Sequence, residues 1–320
     1  MSITKPHFKL SSTAMGSTPC TLKLWRQVIQ GYREKEMPSR IVYGIAVHKF
    51  VDVMYQTGDM GLAIAKAKEA FSLPKVDDKR SSHLSDERHM LCTCINLWTG
   101  FIAQDESFEL LQVGGKPLTE VTFSIPFYKD DFIEVFLEGT IDKLGQFKGG
   151  CFAVGDWKFT SSWDNVGYFE QFELSRQLRM YRLATILEAR NNPDSTLGRI
   201  GATKCGVFID GVFLKPDANA MVAKRSAVHM LGEKDMKEFE WMLYEYCVAL
   251  SLKVQKVMSR GEPLQFDKEG TMNGSCEGKW GKCSFWNVCK SPDNVAAVLL
   301  NRDFDIKPWN PSDYNNLGEV

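Results

Sequence analysis

Asp142, Asp156 and Lys158 are the residues of this chain whose types and spacing best suit chemistry. Residues 134–158, EVFLEGTIDKLGQFKGGCFAVGDWK, read as two apolar strands joined by a glycine-bearing turn at 145–150, the first ending near Asp142 and the second near Asp156 and Lys158. Such a hairpin brings the three charges together. Two carboxylates from neighbouring strands are hard oxygen ligands suited to Mg²⁺ or Mn²⁺, and a lysine beside them can hold an anionic oxygen or steady an attacking water. That is an arrangement for cleaving phosphodiesters. The competing reading is a solvated hairpin, because charges at strand ends are usually exposed. Asp-x-Lys also occurs at Asp77, Asp235 and Asp305, but only Asp156 follows an apolar run, 151–154, with Gly139-x-x-Asp142 closing the strand before it.

Stepping outward, residues 41–55 have helical apolar spacing, with Val47, Val51 and Met54 on one stripe and Gly44 and His48 four apart. His48 is either a satisfied core histidine or a ligand. Residues 59–101 read as two helical pieces separated by Pro74 and a charged, solvated stretch. Within it His83, His89, Cys92 and Cys94 lack the spacing of common zinc knuckles, so no metal is assigned there. A β-rich run over 117–127 carries Glu120 near its start. Residues 168–189 form a long helix on which Leu174, Leu178 and Leu187 pack while Gln177 and Tyr181 share one face, either as catalytic groups that orient water or grip a phosphate or as a half-buried polar pair. Residues 204–214 suit another strand or hairpin. Residues 233–260 form an amphipathic helix with Phe239, Met242, Leu243, Tyr246, Leu250 and Val254 at helical spacing. A short helix follows Cys20, a turn falls at 37–40, and the tail from about Pro308 is polar.

With 320 residues and 44% hydrophobic content the chain can build a substantial core, as one large domain or two ordinary ones. The first ten residues hold no continuous apolar run, and no later stretch approaches the length of a membrane span, so a soluble cytosolic protein with no membrane partner is expected. Net charge is −1, from 39 basic and 40 acidic residues, so any nucleic-acid contact must come from a local groove.

Nine cysteines without a secretory signal argue for buried or metal-binding thiols, not a disulfide framework. Cys276, Cys283 and Cys289 fall within NGSCEGKWGKCSFWNVCK among glycines and aromatics, which suits thiolate ligands on a compact loop. Such a site wants a fourth ligand. Zinc and a cubane iron–sulfur cluster both take four cysteines, and spacing alone does not choose between them.

Taken in order, these pieces resemble the RecB-type branch of the PD-(D/E)XK nucleases that carries an iron–sulfur cluster, as in the AddB nuclease domain, the CRISPR-associated exonucleases and many bacteriophage proteins. The Gly-x-x-x-His helix is matched by Gly44 and His48, the Gly-x-x-Asp strand by Gly139 and Asp142, the Asp-x-Lys strand by Asp156 and Lys158, and the Gln-x-x-x-Tyr helix by Gln177 and Tyr181. The likeness spans about Cys20 to Cys289. It implies an α/β fold with a restriction-endonuclease-like core, a mixed central sheet flanked by helices, and both ends tied by a cysteine cluster. The implied layout is an N-terminal segment 1–40, a nuclease core 41–260 with helical insertions, and a C-terminal cysteine cluster and tail 261–320.

The resemblance further implies Mg²⁺ or Mn²⁺ held by His48, Asp142, Asp156 and the Val154 or Trp157 carbonyl. Lys158 would position the water, and Glu120 is the candidate for a further acidic ligand. Cys20, Cys276, Cys283 and Cys289 would bind a 4Fe-4S cluster, or zinc as the lesser alternative. The chain departs from many relatives in having Asp156 where they have glutamate, and in the six-residue gap between Cys276 and Cys283. The expected activity is metal-dependent DNA hydrolysis, by an exonuclease on single strands or duplex ends. It would serve recombination, repair or phage DNA metabolism in a bacterial or phage-infected host cytosol, alongside a helicase or recombinase. The alternative is a non-catalytic nucleic-acid-binding or assembly module of the same fold.

Overall fold

A computed structural model of the chain describes residues 5–16, 19–76, 82–161, 165–259, 266, 268–278 and 281–307. Asp77, part of the charged stretch before α3 and the polar tail fall outside them. The protein is mixed α/β. Its main sheet has seven strands: β1 (His7–Leu10), β2 (Phe108–Leu110), β3 (Thr119–Lys129), β4 (Glu134–Phe147), β5 (Phe152–Thr160), β6 (Cys205–Phe213) and β7 (Val222–Arg225). They hydrogen-bond in the order β1-β4-β5-β6-β7, with β2 and β3 also pairing with β4. The sheet is mixed, because β1–β4 and β5–β6 are parallel while β2–β4, β4–β5 and β6–β7 are antiparallel. Among the described residues no helix is long and apolar enough to cross a membrane.

The chain forms two compact units, one of Met1–Lys35, Ser124–Gly139 and Lys237–Asn310, the other including Glu36–Phe123 and Thr140–Met236. In the latter, helices α1 (Ser39–Thr57), α2 (Met60–Phe71) and α3 (Glu87–Leu97) bury Val42, Ala46, Phe50, Ala63, Ala67 and Met90 in a cluster that also takes in Trp157 and Val212. After β5 come α4 (Asn165–Glu170), α5 (Arg176–Asn191) and α6 (Thr196–Gly201). Successive strand residues point to opposite faces, so Asp156, which meets α5, and Trp157, which meets the α1–α3 cluster, show that helices cover both sides of the sheet. Every residue of β6 is buried, as expected of a strand paired on both edges and covered on both faces.

In the other unit β1 pairs with β4 from His7↔Glu134 to Leu10↔Leu137. Helix α7 (Glu233–Ser259) buries Phe239, Leu243, Leu250 and Val254, and α8 (Trp286–Lys290) and α9 (Asp293–Asp303) follow. Trp25, in a π-helical turn after the short helix Thr21–Leu24, packs between Phe8 and Phe266 at centroid distances of 6.0 and 4.9 Å.

Four sequence expectations are corrected. The first strand of the hairpin does not end at Asp142 but continues to Phe147, so Gly145 is a strand residue. There it lies against β2, and a Cβ would fall 2.3 Å from the Glu109 carbonyl oxygen. The turn is instead at 148–150, where Gly149 and Gly150 have φ of 118° and 89°. The expected helix over 168–189 is two helices, because Ser175 caps a fresh start by accepting from the Leu178 N–H, which leaves Leu174 in the break and 72% exposed. Met242 on α7 points to solvent. The helix carrying His48 begins at Ser39, inside the expected turn.

Candidate metal centre and thiol pocket

The β4–β5 ladder runs from Phe152↔Gln146 to Gly155↔Lys143. The next residues are Asp142 and Asp156. There a carboxylate replaces the backbone ladder, with the Trp157 N–H donating to Asp142 Oδ2 at 2.6 Å. That bond fixes Asp142 where the two strands stop exchanging hydrogen bonds.

Helix α1 supplies two services from one face, since residues four apart on a helix are neighbours. His48 places Nδ1 3.7 Å from Asp142 Oδ2 and 3.6 Å from Glu120 Oε1. One and two turns on, Asp52 accepts from the Thr119 hydroxyl at 2.7 Å, and Gln56 donates to the Pro117 carbonyl at 3.0 Å and to Thr119 Oγ1 at 2.7 Å. These bonds grip the chain just before Glu120, whose φ of 48° is left-handed and unfavourable for a residue with a Cβ. The gripped, strained backbone aims Glu120 at His48 and Asp142. Ligand atoms of His48, Glu120 and Asp142 lie within 4.8 Å of one another.

Asp156 is 1% exposed and held from three sides. Its Oδ1 accepts from Gln177 Nε2 at 2.8 Å and from the Tyr181 hydroxyl at 3.1 Å, and Gln177 also donates to Tyr181 Oη at 2.7 Å. Its Oδ2 faces the Lys158 ammonium. Gln177 and Tyr181 can do this because the α5 cap at Ser175 sets the phase of the helix.

The electrostatics describe a set of carboxylates short of positive charge. Burial and the neighbouring Asp156 push the Asp142 carboxyl up to about 7. Burial works to lower the His48 imidazole, but Asp142 and Glu120 outweigh it and lift it to about 9. His48, Glu120 and Asp142 are a donor set for a hard or borderline divalent cation, and the nitrogen suits Mn²⁺ better than Mg²⁺, which prefers oxygen. Asp156, expected as a further ligand, lies outside this group, with its oxygens facing Gln177, Tyr181 and Lys158. Gly44 has no steric part here, since an added Cβ would meet only Phe159 at 3.8 Å.

The four cysteines expected to act together, Cys20, Cys276, Cys283 and Cys289, line one pocket with Lys23, Arg26, Lys268, Phe285 and Trp286. The six-residue gap is taken up by a small hairpin pairing Glu277 with Lys282 and Gly278 with Gly281, so the Cys283 N–H donates to the Cys276 carbonyl at 2.9 Å. Gly270 is required, because a Cβ would lie 2.8 Å from Cys276 Sγ and 3.5 Å from Cys20 Cβ. Arg26 donates to Cys289 Sγ at 3.2 Å, and Lys268 to the Cys289 carbonyl at 2.5 Å. Burial and the other three thiols raise Cys276. The donor set fits a group that binds thiolates. Among the described residues no three of these sulfurs lie within 4.8 Å of one another.

Two members of the group left unassigned from sequence have partners of their own. His89 meets the Tyr43 hydroxyl at 2.9 Å and the Lys215 carbonyl at 2.7 Å, and the Cys94 thiol faces Met90 Sδ at 3.6 Å. Sequence reasoning passed over Lys143, Asp210 and Arg225, which form a buried charged group behind the carboxylates. The signal was there: a lysine directly after Asp142, and an aspartate inside the apolar run VFIDGVF.

The chain matches no protein-family model, and no curated protein matches it.

Proposed function

We propose that this chain is a metal-dependent DNA nuclease with a restriction-endonuclease-like core, an exonuclease hydrolysing phosphodiester bonds at single strands or duplex ends. The observation that carries the reading is the convergence of His48, Glu120 and Asp142 within 4.8 Å of one another, with the strand carrying Asp156 and Lys158 bonded to Asp142 through the Trp157 N–H. His48, Glu120, Asp142 and Asp156 would hold Mn²⁺ or Mg²⁺, which supplies a Lewis acid that activates water and neutralises charge on a scissile phosphate. Gln177 and Tyr181 hold the Asp156 carboxylate in one orientation. The Trp157 N–H does the same for Asp142. Lys158, with its side chain 27% exposed, is the cation able to reach a substrate oxygen, and a fixed positive charge there favours the transition state, in which negative charge builds up.

Cys20, Cys276, Cys283 and Cys289 would bind a 4Fe-4S cluster as a structural staple between residues far apart in sequence, with Arg26, Lys23 and Lys268 offsetting its negative charge. The experiment is digestion of single-stranded and duplex DNA, labelled at the 5′ or 3′ end, with Mg²⁺, Mn²⁺ or no metal. Asp156→Ala and Lys158→Ala should each abolish cleavage while DNA binding persists. Full activity in Asp156→Ala, with metal controls clean, would end the nuclease reading. DNA binding by the wild type without metal-dependent cleavage would point instead to a binding module.

A further inference from the structure

The charged group behind the carboxylates has a geometry that suits a specific task. Lys143 follows Asp142 on β4 and so points to the other face of the sheet, where its side chain is 1% exposed. It runs across β5 to reach Asp210 on β6. Its path is open because the residue opposite it in the β4–β5 register is Gly155, where a Cβ would come 2.6 Å from Lys143 Cε and 2.4 Å from Phe208 Cζ. The ammonium lies 3.5 Å over the ring of Trp157, the residue between Asp156 and Lys158. Asp210 in turn accepts from Arg225 Nε and Nη2 on β7, each at 2.8 Å. Arg225 continues to Asp105 at 2.7 Å and to Ser107 Oγ at 3.1 Å, just before β2, which pairs back onto β4.

Two cations and two carboxylates thus run from β4 over β5 to β6 and β7, and on to the segment before β2, which returns to β4. Burying charge of this kind is costly, and well-packed apolar residues often stabilise a core as well or better. What an ion network adds is direction, since its members hold only in one register. Lys143 on β4, and Gly155, the β5 residue its stem runs over, are the immediate neighbours of Asp142 and Asp156, at the point where the backbone ladder ends.

We propose that the Lys143–Asp210–Arg225 network is a positioning brace that sets the relative placement of Asp142 and Asp156, and through it the affinity of the site for a divalent cation. Lys143 is its positioning residue. The inference rests on the metal site of the proposed function but not on its hydrolytic activity.

The test is Mn²⁺ binding by calorimetry and by the electron paramagnetic resonance of the bound ion, on the full-length protein. Lys143→Met keeps an unbranched stem in the groove over Gly155 and leaves Asp210 paired with Arg225. It should weaken Mn²⁺ binding about tenfold or more, as loss of an orienting partner does elsewhere, and change the spectrum of the bound ion. Arg225→Lys, at a residue 16% exposed, retains the charge but loses the two-pronged grip, and should weaken binding in the same direction. It also carries the test if Lys143→Met does not fold. A lower melting temperature with Mn²⁺ affinity within twofold of wild type would show a purely structural network and overturn the proposal. Wild-type protein that binds Mn²⁺ but cuts no DNA would sink the nuclease reading and leave the brace standing. Wild-type protein that binds no Mn²⁺ would sink both.

Discussion

Tyr181→Phe removes one oxygen from the network around Asp156 and leaves the ring in place. In the wild type Asp156 Oδ1 accepts from Tyr181 at 3.1 Å and from Gln177 at 2.8 Å, and Oδ2 faces Lys158. A hydrogen bond to a charged acceptor contributes about 1.5–3 kcal/mol. Because Asp156 keeps its other donors and is not orphaned, the lower end applies, and about 1.4 kcal/mol corresponds to about tenfold in affinity. The variant should therefore bind Mn²⁺ about tenfold more weakly and lose cleavage at limiting metal, with activity recovering in part at saturating Mn²⁺. Gln177→Leu should act in the same direction. The two should not add, since Gln177 also donates to Tyr181 at 2.7 Å and each change disturbs the other's bond. A coupling of at least about 0.5 kcal/mol is expected in a double-mutant cycle read by calorimetry. Strict additivity, or unaltered Mn²⁺ affinity in Tyr181→Phe, would mean the pair only packs and does not orient the carboxylate.

Other consequences are equally open to measurement. His48, lifted to about 9, is protonated at pH 7.5 in the metal-free protein, so Mn²⁺ must displace a proton. Affinity should then rise with pH through that range, steepening below about 7 where Asp142 also holds a proton, and calorimetry in buffers of different ionisation enthalpy should show proton release. Glu120→Gly should be more stable than Glu120→Ala by about 1 kcal/mol in chemical denaturation, because only glycine accepts the left-handed backbone freely, while both lose Mn²⁺ affinity. Gly270→Val should crowd Cys276 Sγ and Cys20 and lower the iron recovered per chain, measured by elemental analysis after anaerobic purification, without changing Mn²⁺ binding.

The charged tips and the imidazole were legible in the sequence because strand alternation and helical spacing fix which side chains can share a face. What was not legible depends on pairing between distant segments. The first strand runs past Asp142 because residues 143–146 pair with β5 across a tighter turn than the glycines suggested, and because β2 pairs Phe108 with Phe147 and Leu110 with Gly145, a partner no local signal announces. The break before α5 turns on Ser175 as a cap, a signal that was present but outweighed by the apolar spacing on either side. The gap between Cys276 and Cys283, a departure from relatives with a shorter one, holds a hairpin of paired glycines and charged residues that is hard to tell from a loop in sequence. The buried lysine was missed for a different reason: an exposed and a buried Lys143 look alike in sequence, and only Gly155 opposite it reveals the groove.

Two polar clusters thus occupy opposite faces of the same pair of strands, and they differ in charge balance. Behind the sheet, Lys143 and Arg225 balance Asp210 and Asp105, and the Asp210 carboxylate receives both cations. Arg225 is raised by its carboxylates even against burial, whereas burial outweighs Asp210 and lowers Lys143. In front, Glu120, Asp142 and Asp156 face one lysine and one imidazole. The Asp142 carboxyl rises and the His48 imidazole holds its proton, because the cluster lacks positive charge. A group that must take up protons to relieve repulsion between carboxylates relieves it better with a doubly charged cation. On the proposed reading the open cluster would receive the cation, and the closed one would be the frame that keeps it in shape.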